Sequence, residues 1–249
     1  MKFNNKYKSP NFNNRKKGSK IKYIVIHYTA MDSDIKSLQY LCDKKNRVSS
    51  HFLINKSGKI FQLVNSKFRA WHAGISFWRG QRDINSNSIG IELDYYGSNI
   101  ENEFYPKIQM FYLGKLLNFL KKKYSIGSNN ILGHSDIAPY RKIDPGKRFP
   151  WKTFYNLKLC YFPNKLNSKN IIKLKFFFKK KSLNSNSNQA LYMLSLIGYD
   201  VENARKSKKN FKVLIKAYQA HYRNSLVDGL LDNETYNLIL NHSKESLTN

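Results

Sequence analysis

Ile21-Lys22-Tyr23-Ile24-Val25-Ile26-His27-Tyr28 reads as one β-strand, apolar on both faces, with a histidine near its carboxyl end. Such a run suits the middle of a covered sheet, where neither face meets water. A second run, Ser88-Ile89-Gly90-Ile91-Glu92-Leu93, has the same character and places a carboxylate near its own end. In sheets covered by helices, sites gather at the carboxyl ends of the strands, so His27 and Glu92 are the first candidates for chemistry.

Working outward, residues 50–55 and 59–64 alternate well enough to form a hairpin through Lys56-Ser57-Gly58. Between Pro106 and Tyr124, apolar residues at Ile108, Phe111, Tyr112, Leu116, Phe119 and Leu120 fall at helical spacing. Pro106 suits the first turn, and Lys121, Lys122 and Lys123 suit the last. The expected fold is α/β, a mixed central β-sheet flanked by helices.

The stretch Gly133-His134-Ser135-Asp136-Ile137-Ala138-Pro139-Tyr140-Arg141-Lys142-Ile143-Asp144-Pro145-Gly146 is broken by two prolines and is read as a rigid loop rather than a helix. It carries His134, Lys142 and Asp144. A hydrolytic metal site takes three protein ligands and leaves a position for water. His27, His134 and Asp144 supply two imidazoles and a carboxylate. Taken alone, Asp144 before Pro145-Gly146 is a turn former, and a histidine at a strand end is a hydrogen-bonded structural residue. The ordered set of five favours a metallohydrolase.

Five blocks in order then carry a resemblance: the strand ending in His27, Ser50-His51-Phe52-Leu53-Ile54, Ala70-Trp71-His72-Ala73-Gly74, Asn87 to Leu93, and Gly133 to Trp151. Over roughly residues 9–155 the chain resembles the zinc-dependent N-acetylmuramoyl-L-alanine amidases that share the peptidoglycan-recognition-protein fold. The resemblance implies Zn2+ held by His27, His134 and Asp144, Glu92 as catalytic carboxylate and Lys142 as the cation beside the metal. It also implies substrate contacts from Arg47, Trp71, His72, Ala138 and Arg141. Tyr140 stands where many members have glycine. The implied chemistry is amide hydrolysis, which needs an activated water, a stabilised oxyanion and a proton for the leaving nitrogen. A non-catalytic peptidoglycan-recognition module is the alternative, although such a protein is free to lose a ligand and this chain fills every position.

The composition shifts after residue 162. Residues 163–188 are lysine-rich without an acid and end in a Ser/Asn run, which reads as a linker. Residues 189–249 read as a small three-helix domain: a helix ending at Gly198 with a left-handed cap, a second with Phe211, Leu214, Ile215, Tyr218 and Tyr222 on one face, and a third capped by Asp232. The elements Leu194 to Tyr199, Ala217-Tyr218-Gln219 and Val227-Asp228-Gly229…Asp232…Thr235 resemble the three-helix peptidoglycan-binding domain. Every proposed site residue precedes Tyr161, so the tail is expected to be separable from the chemistry.

Of the 249 residues, Lys and Arg number 44 against 16 Asp and Glu, a net charge of +28. That attracts polyanions, so nucleic acid and anionic surfaces come into consideration. No nucleic-acid motif accompanies the charge, and no specific nucleic-acid partner is expected. AT-rich coding explains the lysines but not the scarcity of glutamate. Cys42 and Cys160 are expected to be free thiols. No signal peptide and no membrane span is read, so the expected location is cytoplasmic, with export to the envelope by another route as the alternative. A monomer acting on peptidoglycan or muropeptides is the expected state.

Overall fold

A computed structural model describes residues 1–97, 104–163, 178 and 183–247. Seven strands and nine α-helices are described, numbered here in chain order. The central sheet has five strands: β2 (Tyr23–Tyr28), β3 (Phe52–Ile54), β4 (Ile60–Gln62), β6 (Ser88–Leu93) and β7 (Ile131–Gly133), in the order β4-β3-β6-β2-β7. The β3–β4 pair is the expected antiparallel hairpin, and all other pairs are parallel, so the sheet is mixed as expected. Two further strands, β1 (Phe12–Asn14) and β5 (Phe68–Ala70), form a separate antiparallel ribbon.

The β2–β6 register decides which residues share a face. Tyr23 lies opposite Ser88, Val25 opposite Gly90 and His27 opposite Glu92. These residues point one way, and Ile24, Ile26, Ile89, Ile91 and Leu93 point the other, because side chains alternate along a strand. The Ile-rich face packs on α3 (Lys107–Tyr124) through Leu113, Leu116, Leu117 and Leu120.

The face of α3 differs from the one its periodicity suggests. Ile108 and Phe111 are 46% and 55% exposed, whereas Gln109 is fully buried. Gln109 Nε2 donates to the carbonyl of Asp94, just past the end of β6, and to that of Ile54, which also accepts from Asp94 N. The buried face is therefore the leucine face together with Gln109, whose amide bonds the backbone at the end of the sheet.

Before the tail come α1 (Asp34–Cys42), α2 (Ile84–Asn87), α4 (His134–Ile137) and α5 (Trp151–Asn156). The region read as wholly non-helical therefore starts with one short helix, α4. Its N-terminus is closed by Asp136 Oδ2, which accepts from Gly133 N at 2.7 Å; the prolines lie beyond its end.

The tail contributes α6 (Asn186–Ile197), α7 (Glu202–Lys206), α8 (Lys208–Tyr222) and α9 (Asn233–Leu247), one short helix more than expected. Gly198 closes α6 with φ +136°, and a Cβ there would meet Trp78 and Arg79. The positive φ is as expected, and close approach to Trp78 is a second reason for glycine. Asp232 caps α9 through Thr235 N at 2.9 Å. Gln219 explains the order of the tail motif: its side chain bonds Asp228, Gly229, Leu230 and Thr235, locking the loop between α8 and α9.

The tail covers the second face of the sheet. Tyr23, Val25 and Leu132 share one apolar cluster with Leu194, Ile197, Tyr199, Leu214, Ile215 and Tyr218. Tyr140 donates to the carbonyl of Asp200 and accepts from Ala204 N, so this residue anchors α7. Of the stretch read as a linker, residues 164–177 and 179–182 lie outside the described residues. Phe178 is buried in the same cluster as the tail.

Candidate active site

His27 and Glu92 end adjacent parallel strands at the same level, on the same face. The loop after β7 brings His134 and Asp144 over that edge. His27 Nδ1 lies 2.9 Å from His134 Nδ1 and 3.1 Å from Asp144 Oδ2, and His134 Nδ1 lies 3.0 Å from the same oxygen. All three residues are buried. Three donor atoms this close can all be reached by one cation at about 2.0–2.2 Å, the ordinary range for nitrogen and carboxylate ligands of zinc. Among the described residues this is the one cluster of histidine, cysteine and carboxylate groups with such spacing.

The far nitrogens fix the tautomers. His134 Nε2 donates to the carbonyl of Ala73 at 3.2 Å. His27 Nε2 donates to His72 Nδ1 at 3.0 Å; His72 Nε2 then donates to Ser88 Oγ, and Ser88 donates to the carbonyl of Ile84. Each imidazole therefore turns an Nδ1 lone pair to the centre of the triangle. The His72 ring lies directly over β6, and a Cβ on Gly90 would come within 2.4 Å of it. Glycine at position 90 is what lets the second histidine reach the first.

Electrostatics divide the two carboxylates. Burial pushes Asp144 up, but the charges and hydrogen bonds of His134 and His27 outweigh it and hold the group well below the usual carboxylate range. Burial, with a smaller contribution from Asp144 and opposition from Lys142, pushes Glu92 up to about 8. Glu92 Oε2 is buried with no hydrogen-bond partner among the described residues. A cation at the triangle acts in the opposite sense and favours its ionised form. Burial and the neighbouring His134 lower His27 to about 4, so its ring is neutral and able to ligate.

A cavity of about 380 Å³ opens over the cluster and is lined by His27, Trp71, His72, Glu92, His134, Arg141, Lys142 and Asp144. Arg47 and Ala138 are not among its lining residues. Arg47 is exposed beside it with φ +52°; Ala138 is buried, and its carbonyl accepts from the backbone of Arg141 and Lys142. The Arg141 guanidinium donates to the carbonyls of Ala73 and Ile75, clamping the loop that carries Trp71 and His72. Both ring nitrogens of His72 are engaged within the protein. His51, the histidine of the second block, is fully buried away from the cavity, where it accepts from Gly90 N and contacts Phe68 O and Arg15. Sequence reasoning missed Ser88, whose hydroxyl ends the histidine chain, and Asp136, which gave no signal beyond its place next to a candidate ligand.

Two imidazoles and a carboxylate that could hold a metal ion converge beside a partly buried glutamate whose Oε2 has no partner among the described residues, the arrangement expected of a metallohydrolase. A family profile described as N-acetylmuramoyl-L-alanine amidase matches residues 17–147, and the chain belongs to that family. It is 35% identical over 230 residues to N-acetylmuramoyl-L-alanine amidase AmiD of Escherichia coli K12, covering 87% of this chain and 80% of the relative. It is 37% identical over 164 residues to 1,6-anhydro-N-acetylmuramyl-L-alanine amidase AmpD of Haemophilus influenzae, covering 59% of this chain and 87% of the relative. Among solved structures, the E. coli AmiD complex with anhydro-N-acetylmuramic acid-L-Ala-D-gamma-Glu-L-Lys superposes with a TM-score of 0.77 at 31% identity, covering 93% of this chain and 92% of that one. AmpDH3 from Pseudomonas aeruginosa gives 0.76 at 29%, covering 90% and 92%. Both likenesses extend through the helical tail.

Proposed function

We propose that the protein hydrolyses the amide joining N-acetylmuramic acid to L-alanine in peptidoglycan or muropeptides, with zinc held by His27, His134 and Asp144. The observation that carries this reading is the closed triangle of donor atoms, each edge about 3 Å, set beside Glu92 in a family of amidases. Zinc in such a site supplies Lewis acidity, bringing a water's pKa towards about 7.

Glu92 takes the proton of the attacking water and returns it to the departing alanine nitrogen. Its free Oε2 suits both steps, and its raised pKa lets it hold that proton between them. Lys142, which lines the same cavity, stabilises the negative oxygen that forms at the scissile carbonyl. His72 orients His27, and Arg141 fixes the wall that carries Trp71. In this reading Trp71 contacts the substrate directly, while His72 and Arg141 act through the groups they hold. The tail adds a wall-binding surface next to the chemistry.

Metal analysis tests the reading. Purified protein is expected to carry about one zinc per chain, to lose activity to a chelator and to regain it with zinc. His134→Ala should lose both metal and activity. Full activity after chelation, or full zinc in the variant, would remove the cluster from the mechanism.

A further inference from the structure

A second cavity of about 400 Å³ lies between the loop after α4 and helix α8. It adjoins the metal-site cavity, because Tyr28, Lys142 and Ile143 line both. Three lysines line it, Lys142, Lys147 and Lys216, and no carboxylate among the described residues does. Lys147 and Lys216 approach from opposite walls, one from the catalytic loop and one from the tail, and both are exposed. Between them the surface is apolar, with Pro139, Val213, Ala220 and Val227. The walls are pinned to one another by Tyr140 on Asp200 and by Asp136 on His221 and Tyr199, so the cavity is a built feature of the seam.

We infer that this cavity is an anion-accepting subsite for the carboxylate-bearing stem peptide of a neighbouring wall unit, which makes strands carrying several stem peptides better substrates than a single muropeptide. The inference rests on the amidase reading and names its substrate class. On a glycan strand the free carboxylates belong to the stem peptides, since the lactyl carboxyl of each substituted muramic acid is tied up in the amide. A cationic rim over an apolar floor matches a short peptide that combines free carboxylates with alanine methyl groups. A neutral sugar would have no use for a lysine rim.

The test compares soluble glycan strands bearing two or more stem peptides with a one-peptide muropeptide, using zinc-loaded full-length protein. The double variant Lys147→Glu/Lys216→Glu should raise KM for the strands about tenfold and leave the single muropeptide within about twofold. Ala220→Phe, which fills the cavity without changing charge, should do the same. Lys122→Glu/Lys123→Glu, a charge-matched change at the end of α3 on the other side of the sheet, should leave both substrates unaffected. Binding of the strands to the Glu92→Gln protein reads the subsite without turnover and should weaken to the same extent. Equal effects on both substrates, no effect, or an equal effect from the α3 variant would each overturn the subsite. Tight strand binding lost on Lys147→Glu/Lys216→Glu, with no amide cleavage by the wild type, would instead keep the subsite and reject the amidase reading.

Discussion

His221 of the tail donates from Nδ1 to Asp136 Oδ2 at 2.7 Å, and Asp136 lies two residues from His134. The other oxygen of Asp136 accepts from Tyr199 at 2.6 Å. Asp136 is fully buried, and the His221 ring stacks on Trp151 at 3.6 Å. The short helix that aims His134 is therefore held from the tail side.

Removing the tail should damage the catalytic part, contrary to the separability that the sequence suggests. A chain ending at Tyr161 uncovers Tyr23, Val25 and Leu132 and leaves Asp136 without two partners. It should aggregate or lose cooperative unfolding. His221→Ala in the full chain should cost about 2 kcal/mol, since the buried Asp136 carboxylate loses a hydrogen-bond partner that water cannot replace. Calorimetry checks both; a soluble fragment that unfolds cooperatively would return the tail to the status of an appendage.

Glu92→Gln and Lys142→Ala should keep zinc and fold while losing about two to four orders of magnitude in kcat. Neither residue belongs to the donor triangle. Zinc content and turnover measured on the same preparations separate the roles, and near-wild-type turnover in either variant sinks its assignment.

Acid should destabilise the metal-free protein. Burial lowers His51 to about 3, with the nearby Arg15 charge adding to it, and burial holds His242 well below its ordinary value. Folded pKa values below the unfolded one mean that the unfolded chain binds more protons, so this stability is present above about pH 6.5 and is lost as pH falls below it. Each residue contributes a slope of about 1.4 kcal/mol per pH unit there. Urea unfolding at about pH 7.5 and about pH 5.5 measures the sum; a flat profile would contradict burial of neutral histidines.

The sheet and the donor set were legible because each depends on local pattern. Buried strands announce themselves by continuous apolar runs, and their carboxyl ends placed His27 and Glu92 on one level. The orientation of α3 was not legible, because Gln109 is buried with its amide on the carbonyls of Ile54 and Asp94, partners that lie on other segments of the chain. The tail's helices could be read from Leu214, Ile215 and Tyr218, but an apolar stripe does not say what covers it. Its docking rests on single residues such as Tyr140, Asp136 and His221, whose types are ordinary and whose partners lie more than sixty positions away or close to it.

The most direct test of the central claim is product analysis by mass spectrometry after zinc-loaded protein acts on a soluble anhydro-muropeptide. The account predicts a free stem peptide with an L-alanine amino terminus and an intact sugar acid, formed by addition of one water and abolished by chelator. Cleavage at any other bond, or none by protein shown to hold zinc, would contradict it.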